Sequence, residues 1–310
     1  MSVHKQPESN ASTERKPVTL PRIAEMKLNA EPIVMVTAYD FPSAQMAEEA
    51  GVDIVLVGDS GGMTVLGYDS TVPVGMDEMI MLASAVRRGL KTPLLVGDMP
   101  FGSYERSNEQ AVENATRLVK EAGCDAVKLE RGGASADRAR AIVNAGIPVI
   151  GHVGLTPQTA TALGGFKAQG KTAGSASHIA QEALELQEAG CFSIVFEAIP
   201  ADITEVLMQR MTVPVIGIGA GGATDGQVLV WHDLLGIFSG HSPKFVKRYA
   251  EARKDMVAGL SEYAKEVRSR AFPGPEHVYA VEPDEVEAFR SYLDTDTQAE
   301  FGGDWAATEI

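Results

Sequence analysis

The chain lacks the features that form disulfides, membrane spans or secretion signals. Of its 310 residues only two are cysteine, Cys124 and Cys191, and their wide separation excludes a Cys-x-x-Cys motif. Both follow an Ala-Gly pair and precede an apolar run, so we expect buried, reduced thiols in a cytoplasmic protein. No apolar run approaches the ~18 residues of a membrane span. Residues 1–17 are polar, of mixed charge, and without the apolar core of a signal peptide, which predicts a flexible tail.

Positive charge is also scarce. The formal net charge is −15, which disfavours nucleic acids and anionic membranes as partners because both would be repelled. Residues 281–310 carry nine acidic residues against Arg290 alone, so they form an acidic C-terminal extension. After Pro283, apolar residues recur at helical spacing at Val286, Phe289 and Leu293. This spacing predicts a short amphipathic helix that docks on the body of the protein.

Buried strands and amphipathic helices alternate along the middle of the chain. Three strands follow an Ala-Gly pair, at Ala50, Ala122 and Ala189, and others begin at a proline, as in Pro93-Leu-Leu-Val-Gly. With a weaker strand at Leu235-Gly-Ile-Phe, the number of strands reaches about eight, as a closed barrel requires. We therefore predict an α/β protein with a single (β/α)8 TIM barrel over residues 18–280.

The predicted helices fill the segments between these strands. Their ranges are 41–50, 77–89, 108–122, 134–145, 173–189, 203–211, 224–232 and 243–267. In the last of them, apolar residues recur mostly at steps of three, four and seven, which predicts a core-facing stripe: Phe245, Tyr249, Met256, Leu260 and Tyr263.

Five of the apolar strands end on a charged or imidazole residue. The C-terminal ends of all strands in a parallel barrel open onto one face, so these side chains are expected to converge in one cup. Such a group is costly to desolvate unless its charges are paired, as a divalent cation and an anionic substrate would do. The sequence therefore predicts a metal-assisted active site built from Asp59, Asp98, Lys128 with Glu130, His152 and Glu197.

Asp59 and Asp98 end strands that are about one βα unit apart, so they are expected on adjacent strands, where they can share a cation. Hard oxygen ligands with open positions suit Mg²⁺. An aspartate that follows a strand also often caps the next helix, and this alternative applies to each of them.

Lys128 and Glu130 lie two apart on one strand and point into the barrel if Val127 and Leu129 face the helices. Glu130 could then reach the cation directly or through water, while Lys128 could hold a substrate carboxylate or oxyanion. A purely structural ion pair is an equal alternative for the two.

Glu197 ends an apolar strand before a rigid Ala-Ile-Pro200 turn, which suits a general base. A helix cap is its alternative role. His152 has three open roles, as a ligand, an orienting residue or a satisfied core histidine, of which orientation is slightly favoured.

Two kinds of loop remain. The glycine run that begins at Gly217 is expected to follow a strand and precede a helix. It would form an anion cradle or, equally, a backbone lining for a flat ligand or a tight barrel turn. Lys167 and Lys171 lie in a glycine-rich segment predicted to be a mobile flap, and Lys244 follows His241 after the predicted eighth strand. These lysines either attract an anionic cosubstrate or are simply solvated.

Several ordered motifs resemble ketopantoate hydroxymethyltransferase over roughly residues 18–278. They include Val57-Gly-Asp-Ser-Gly-Gly-Met, Asp98-Met-Pro-Phe, Lys128-Leu-Glu, Gly151-His-Val-Gly-Leu-Thr-Pro-Gln and Gly164-Gly-Phe-Lys-Ala-Gln-Gly. The resemblance implies a (β/α)8 barrel, usually a homodecamer. It also implies transfer of a hydroxymethyl group from methylenetetrahydrofolate to α-ketoisovalerate, which gives ketopantoate for pantothenate and coenzyme A synthesis.

The same resemblance implies roles for individual residues. Asp59 and Asp98 would bind Mg²⁺, and Glu130 would complete or support that site. Ser60 and Lys128, together with the two aspartates, would bind the keto acid, and Glu197 would be the base. The chain departs from the family where Gly61 replaces a more usual leucine, and the family says nothing about the acidic extension.

Two other functions are alternatives to this one. A carbon–carbon lyase or mutase of the isocitrate lyase or PEP mutase type shares the barrel and the metal–enolate chemistry, but its Lys-Lys-Cys-Gly-His loop is absent from this chain. A catalytically silent barrel that serves as an oligomeric binding scaffold would have no need of clustered acids.

Overall fold

The computed structural model describes residues 15–238, 240 and 243–296. Within these residues, eight parallel strands form a closed barrel in which each strand pairs with the next and the last pairs with the first. The predicted (β/α)8 barrel is therefore confirmed. The strands are β1 Ile33–Thr37, β2 Ile54–Val57, β3 Leu94–Asp98, β4 Ala126–Glu130, β5 Val149–Gly154, β6 Ser193–Glu197, β7 Val215–Ile218 and β8 Gly226–Leu229.

The helices begin and end where capping residues favour it. For example, Ser107 Oγ accepts a hydrogen bond from Gln110 N at the start of α5, and Gly123 ends that helix in the left-handed conformation. The helices are α1 Leu20–Leu28, α2 Phe41–Glu49, α3 Gly61–Thr64, α4 Met76–Gly89, α5 Asn108–Ala122, α6 Ala134–Asn144, α7 Ala173–Glu188, α8 Ala201–Met208, α9 Trp231–Leu234, α10 Ala252–Ser269 and α11 Pro283–Asp296. Short 3₁₀ turns occur at Pro157–Thr159 and Pro275–His277.

Alternate residues of each strand enter two separate layers. Val55, Leu95 and Val127 pack against the helices outside the barrel, whereas Leu94 and Val96 belong to the cluster inside it. Both cysteines are buried and free, as predicted. The barrel thus has a filled interior, and only its rims can hold a ligand.

Helix α1 closes the N-terminal end of the barrel and was not predicted from the sequence. Its residues Ile23 and Met26 are buried in the interior cluster beside Ile33 of β1. Lys27 Nζ lies 2.7 Å from Asp225 Oδ2, just ahead of β8. Because this end is closed, the C-terminal rim is the open one.

The prediction for the eighth strand was wrong. The strand is Gly226–Leu229, inside the segment predicted to be a helix, while residues 235–238 form a turn and an irregular segment after α9. Residues 219–225, all of them described, contain no helix, so β7 leads directly into β8. The short strand β8 pairs with β7 on one side and with β1 on the other. This pairing defines the strand, and the local sequence does not reveal it.

The glycine run that follows β7 consequently lies in a tight barrel turn, and the alternative of an anion cradle at a helix start is wrong. Gly219 adopts a φ of +65°, and the Phe245 ring packs where a Cβ would be. Only glycine allows this close approach together with a left-handed conformation.

The prediction of a core-facing stripe in the last long helix was also wrong. Helix α10 begins at Ala252 rather than at residue 243, and none of its residues is buried. Met256, Leu260 and Tyr263 are all more than half exposed. Contacts divide the chain into two compact units, Met1–Ala252 and Arg253–Ile310, and α10 lies almost wholly in the second. An amphipathic pattern predicts a helix but does not identify the surface that covers it.

The acidic extension contains the predicted helix, α11, which begins at Pro283. Phe289 and Leu293 of that helix are more than half exposed, and its docking on the body stays a prediction. Residues 1–14 of the predicted tail and residues 297–310 lie outside the described residues. Arg15, at the end of that tail, pairs with Asp53 at 2.8 Å. In the described part of the chain, no helix is long and apolar enough to cross a membrane.

Candidate active site

The predicted site residues of five consecutive strands, β2 to β6, meet at the C-terminal rim of the barrel. Val127 and Leu129 belong to the helix-side layer, so Lys128 and Glu130 point into the barrel as predicted. Strand register places Asp98 beside Lys128 and Glu130 beside His152. The resulting cluster is almost completely shielded from solvent, with Asp98 only 1% and Lys128 only 4% exposed.

Lys128 is the central cation of this cluster. Its Nζ lies 2.9 Å from Asp98 Oδ1 and 3.8 Å from Glu130 Oε1. Burial alone would lower the pKa of Lys128, but the carboxylates of Asp98, Glu130 and Asp59 outweigh it and raise that pKa. The lysine therefore stays charged. The ion pair with Asp98 is short and buried, so the ammonium group lies directly against Asp98 Oδ1.

Asp59 brings a second buried carboxylate next to Asp98. Its backbone N donates to Asp98 Oδ2 at 3.3 Å. Burial, and then the negative charges of Asp98 and Glu130, raise the pKa of Asp59 well above its usual value. Burial also raises the pKa of Asp98, although Lys128 opposes this. The positive charges of Lys128 and His152 do not fully balance the negative charge of the acids in this cluster.

A hard divalent cation fits this donor set. The carboxylates of Asp59 and Asp98 are buried at the ends of adjacent strands, and a further positive charge would stabilise both of them. Among the residues that the structure describes, no three acidic, cysteine or histidine side chains already stand together as a ready ligand set. Asp59 and Asp98 are the residues that would hold a metal here, with other oxygen ligands needed to complete its coordination.

His152 joins Glu130 to Glu197. Its Nδ1 lies 3.3 Å from Glu130 Oε1, and its Nε2 lies 3.2 Å from Glu197 Oε2, without the angles of a hydrogen bond. Burial and the charge of Lys128 would lower the pKa of His152, but the two glutamates raise it to about 9. For Glu130, the effect of burial is outweighed by His152 and Lys128, and its pKa is lowered. His152 is therefore positioned as a cation between two carboxylates.

Glu197 lies at the open edge of the cluster, with its side chain 15% exposed. Its position depends on Gly154 of the neighbouring strand, since a Cβ there would lie 2.2 Å from Glu197 O. The carboxylate is thus held by a close strand contact yet remains accessible to a substrate.

The alternative roles as helix caps are wrong for all three candidate acids. Helix α3 is capped by Ser60, α5 by Ser107 and α8 by Pro200, so none of these helices uses Asp59, Asp98 or Glu197 as its cap.

Ser60 lies beside Asp59 at the start of α3. Its Oγ is 2.8 Å from Tyr39 OH, which is buried. Burial raises the pKa of Tyr39 to about 12, so the phenol is neutral and can donate to the serine. Tyr39 follows β1, in the segment Thr37-Ala-Tyr-Asp, and the sequence analysis assigned it no role.

Two further residues of the site were also missed. Gln158 donates to Asp59 Oδ2 at 2.9 Å, and Tyr104 OH donates to Gln158 Oε1 at 2.6 Å. Gln158 was part of a recognised motif without a role, and no signal in the sequence pointed to Tyr104.

The predicted cationic loops lie around the rim rather than in the cluster. Lys167, Lys171 and Lys244 are exposed. The loop that carries the first two is fixed next to Glu197 because Gln169 N donates to Ala198 O at 2.9 Å. His241 lies outside the described residues.

A parallel barrel with buried carboxylates, a charged lysine and an accessible glutamate at one rim has the arrangement of an enzyme active site. Residues 17–275 match the family model described as ketopantoate hydroxymethyltransferase. The chain belongs to that family.

Curated relatives agree with this assignment, and a solved structure shares the fold. The chain is 52% identical over 267 residues to a 3-methyl-2-oxobutanoate hydroxymethyltransferase of Heliobacterium modesticaldum, covering 86% of this chain and 97% of the relative. It is 54% identical over 266 residues to the enzyme of that name from Moorella thermoacetica, covering 86% and 99%. A phosphonopyruvate hydrolase in complex with oxalate and Mg²⁺ shares the fold, with a TM-score of 0.54 at 13% identity over 90% of this chain and 98% of that one. The relatives' names favour hydroxymethyl transfer over the lyase or mutase alternative.

Proposed function

We propose that this protein transfers a hydroxymethyl group from methylenetetrahydrofolate to α-ketoisovalerate (3-methyl-2-oxobutanoate), giving ketopantoate (2-dehydropantoate) for pantothenate and coenzyme A synthesis. Family membership and two relatives of that activity, each matched over nearly its full length, support the proposal. The observation that carries it is the convergence of Asp59, Asp98, Lys128, Glu130 and Glu197 at one rim of the barrel.

Asp59 and Asp98 are the proposed ligands of one Mg²⁺ per subunit, and Glu130 completes the site directly or through water. When bound, the cation supplies a Lewis acid for the negative charge that develops on the keto oxygen during enolisation. Support comes from the two buried carboxylates at the ends of adjacent strands, which a further positive charge would stabilise.

The keto acid is proposed to bind beside Lys128 and Ser60, together with the two aspartates. Lys128 offers a fixed positive charge that is already desolvated, so an anionic carboxylate or oxyanion gains strongly from contact with it. The Ser60 hydroxyl, held by Tyr39 OH at 2.8 Å, can donate to a substrate oxygen.

Glu197 is the proposed general base. It removes the proton at C3 of the keto acid, and C3 then forms a bond with the one-carbon unit of methylenetetrahydrofolate. As that bond forms, the bond from the one-carbon unit to one folate nitrogen breaks. Water then supplies the hydroxyl group, the bond to the second folate nitrogen breaks, and tetrahydrofolate leaves with both nitrogens protonated. His152, 3.2 Å from Glu197 Oε2, is proposed to orient the base.

The folate is bulky and anionic, and we propose that it approaches along the lysine loops. Lys167 and Lys171 belong to the loop attached next to Glu197, and Lys244 is exposed as well. Replacing these lysines with glutamate should raise the Michaelis constant for the folate without changing binding of the keto acid. Unchanged kinetics would contradict this approach route.

The proposed reaction is tested by incubating the purified protein with Mg²⁺, α-ketoisovalerate and methylenetetrahydrofolate and detecting ketopantoate by mass spectrometry. Product should require all three components. No product, with the protein folded and both substrates intact, would contradict the proposed function.

The family resemblance further supports a cytoplasmic homo-oligomer, proposed to be a homodecamer. The molar mass of the protein in solution, measured by light scattering, tests this directly.

A further inference from the structure

Gln158 is a buried amide at the rim of the barrel, 4% exposed, in the 3₁₀ turn Pro157–Thr159 after β5. Its turn is held by a 2.7 Å hydrogen bond between Thr156 Oγ1 and Thr159 Oγ1. A buried amide has two donor hydrogens and one acceptor oxygen to satisfy, and leaving any of them unpaired is costly.

Every polar atom of the Gln158 side chain has a partner, and these partners fix which way the amide points. Nε2 donates to Asp59 Oδ2 and to Met99 O, each at 2.9 Å. Oε1 accepts from Tyr104 OH at 2.6 Å. Because a carboxylate and a carbonyl only accept, the amide nitrogen must face Asp59 and Met99, and the oxygen must face the tyrosine.

Gln158 also holds a second acid of the site. Its backbone N donates to Glu130 Oε2 at 3.1 Å, while Glu130 N donates to Tyr104 OH at 3.3 Å. The other oxygen of that carboxylate, Oε1, faces His152 Nδ1 at 3.3 Å. One residue therefore anchors one oxygen each of Asp59 from β2 and Glu130 from β4, across the intervening strand β3.

We propose that Gln158 is a positioning residue that fixes the carboxylates of Asp59 and Glu130 in the orientation in which they would hold a divalent cation; Tyr104 in turn holds Gln158. This inference rests on the metal site of the proposed function. Side chains that orient metal ligands typically change metal affinity or activity by about 10- to 100-fold when they are removed.

The inference is tested by measuring the Mg²⁺ dissociation constant of the full-length protein by titration calorimetry without substrates. Two variants are used. Gln158→Leu has a side chain that forms no hydrogen bonds, although its backbone N can still donate to Glu130 Oε2. Gln158→Glu keeps the shape but sets an acceptor against Asp59 Oδ2. Both should bind Mg²⁺ about 10- to 100-fold more weakly. Gln181→Leu is the matched control: Gln181 is exposed on α7 and donates to Glu185 Oε1, so Mg²⁺ affinity should not change.

A purely structural role predicts a different result. In that case the Gln158 variants would unfold at lower temperature but bind Mg²⁺ with wild-type affinity, and the inference would be overturned. Should those variants fail to fold, Tyr104→Phe is measured instead. It removes the hydroxyl that holds the Gln158 amide and that also accepts from Glu130 N. A weaker Mg²⁺ affinity supports the inference, and an unchanged one overturns it.

The same titration separates this inference from the proposed function. If the wild-type protein binds no Mg²⁺, the metal site itself is wrong, and this inference is overturned with it. If the wild type binds Mg²⁺ and turns over, but Gln158→Leu binds it equally well, the proposed function stands and only the positioning role is overturned.

Discussion

The two halves of the barrel rim differ sharply in charge and in construction. Strands β2 to β6 end in titratable residues that contact one another, and each is followed by a helix. Strands β7, β8 and β1 contribute no charged side chain to this cluster, and β7 joins β8 without a helix. The same fold thus provides one half for chemistry and one half that closes the cylinder.

The difference teaches where polar groups are tolerated inside a barrel. In the charged half, Lys128 compensates the buried acids, so a cluster that would otherwise be prohibitively costly to desolvate is retained. In the other half, Thr37 Oγ1 accepts from Trp231 N at 2.8 Å, and this polar group is satisfied locally. Substitutions in the two halves should therefore have different kinds of effect.

The largest effect on stability is expected for Lys128→Met measured with a metal chelator present. The substitution leaves the carboxylates of Asp98 and Glu130 buried without their cation, which should lower the free energy of unfolding by about 3–5 kcal/mol in urea denaturation. Lys27→Met breaks the partly buried pair with Asp225 outside the charged half and should cost less. Equal losses in the two variants would contradict the special role of the charged half.

The next largest effect concerns metal binding. Mg²⁺ at about 100 times its dissociation constant should raise the free energy of unfolding of the wild-type protein by about 2.7 kcal/mol. Asp98→Asn should lose this increment because it removes a proposed ligand. Asp225→Asn, which alters a carboxylate that bonds Lys27 and Val215 N, should keep it. A full increment in Asp98→Asn would place the metal elsewhere.

The smallest effect is expected in the uncharged half. In Gly226→Ala the new Cβ would lie 2.4 Å from Ile33 O and 2.7 Å from Ile33 Cβ. This overpacking should lower the free energy of unfolding by about 1–3 kcal/mol and leave the Mg²⁺ increment intact. Gly222→Ala is the control, since its Cβ would meet nothing within 4 Å. A loss of Mg²⁺ binding in Gly226→Ala would show that the two halves are not independent.

The sequence predicted the charged half well because each of its strands ends on a titratable residue after an apolar run. The alternation around Val127 and Leu129 even gave the direction of Lys128 and Glu130. It failed at β8, because a four-residue strand containing Gln227 is identified only by pairing on both sides.

Gln158 shows the same limit at the site itself. Its hydrogen bond to Asp59 joins residues 99 apart in the sequence, and its bond to Tyr104 joins residues 54 apart. Such a network follows from the closed barrel and has no local signature. Helix α10 is a third example of this limit. Its sequence shows an apolar stripe, but the sequence does not reveal that none of its residues is buried.

The most direct test of the account is Mg²⁺-dependent deuterium exchange at C3 of α-ketoisovalerate, followed by NMR in D₂O with and without folate. Wild-type protein should exchange this position only when Mg²⁺ is present. Glu197→Gln should bind Mg²⁺ normally but exchange about 10²- to 10⁴-fold more slowly, because the base is gone. Exchange at the wild-type rate in Glu197→Gln would contradict the account and move the base elsewhere, with His152 the next residue to test.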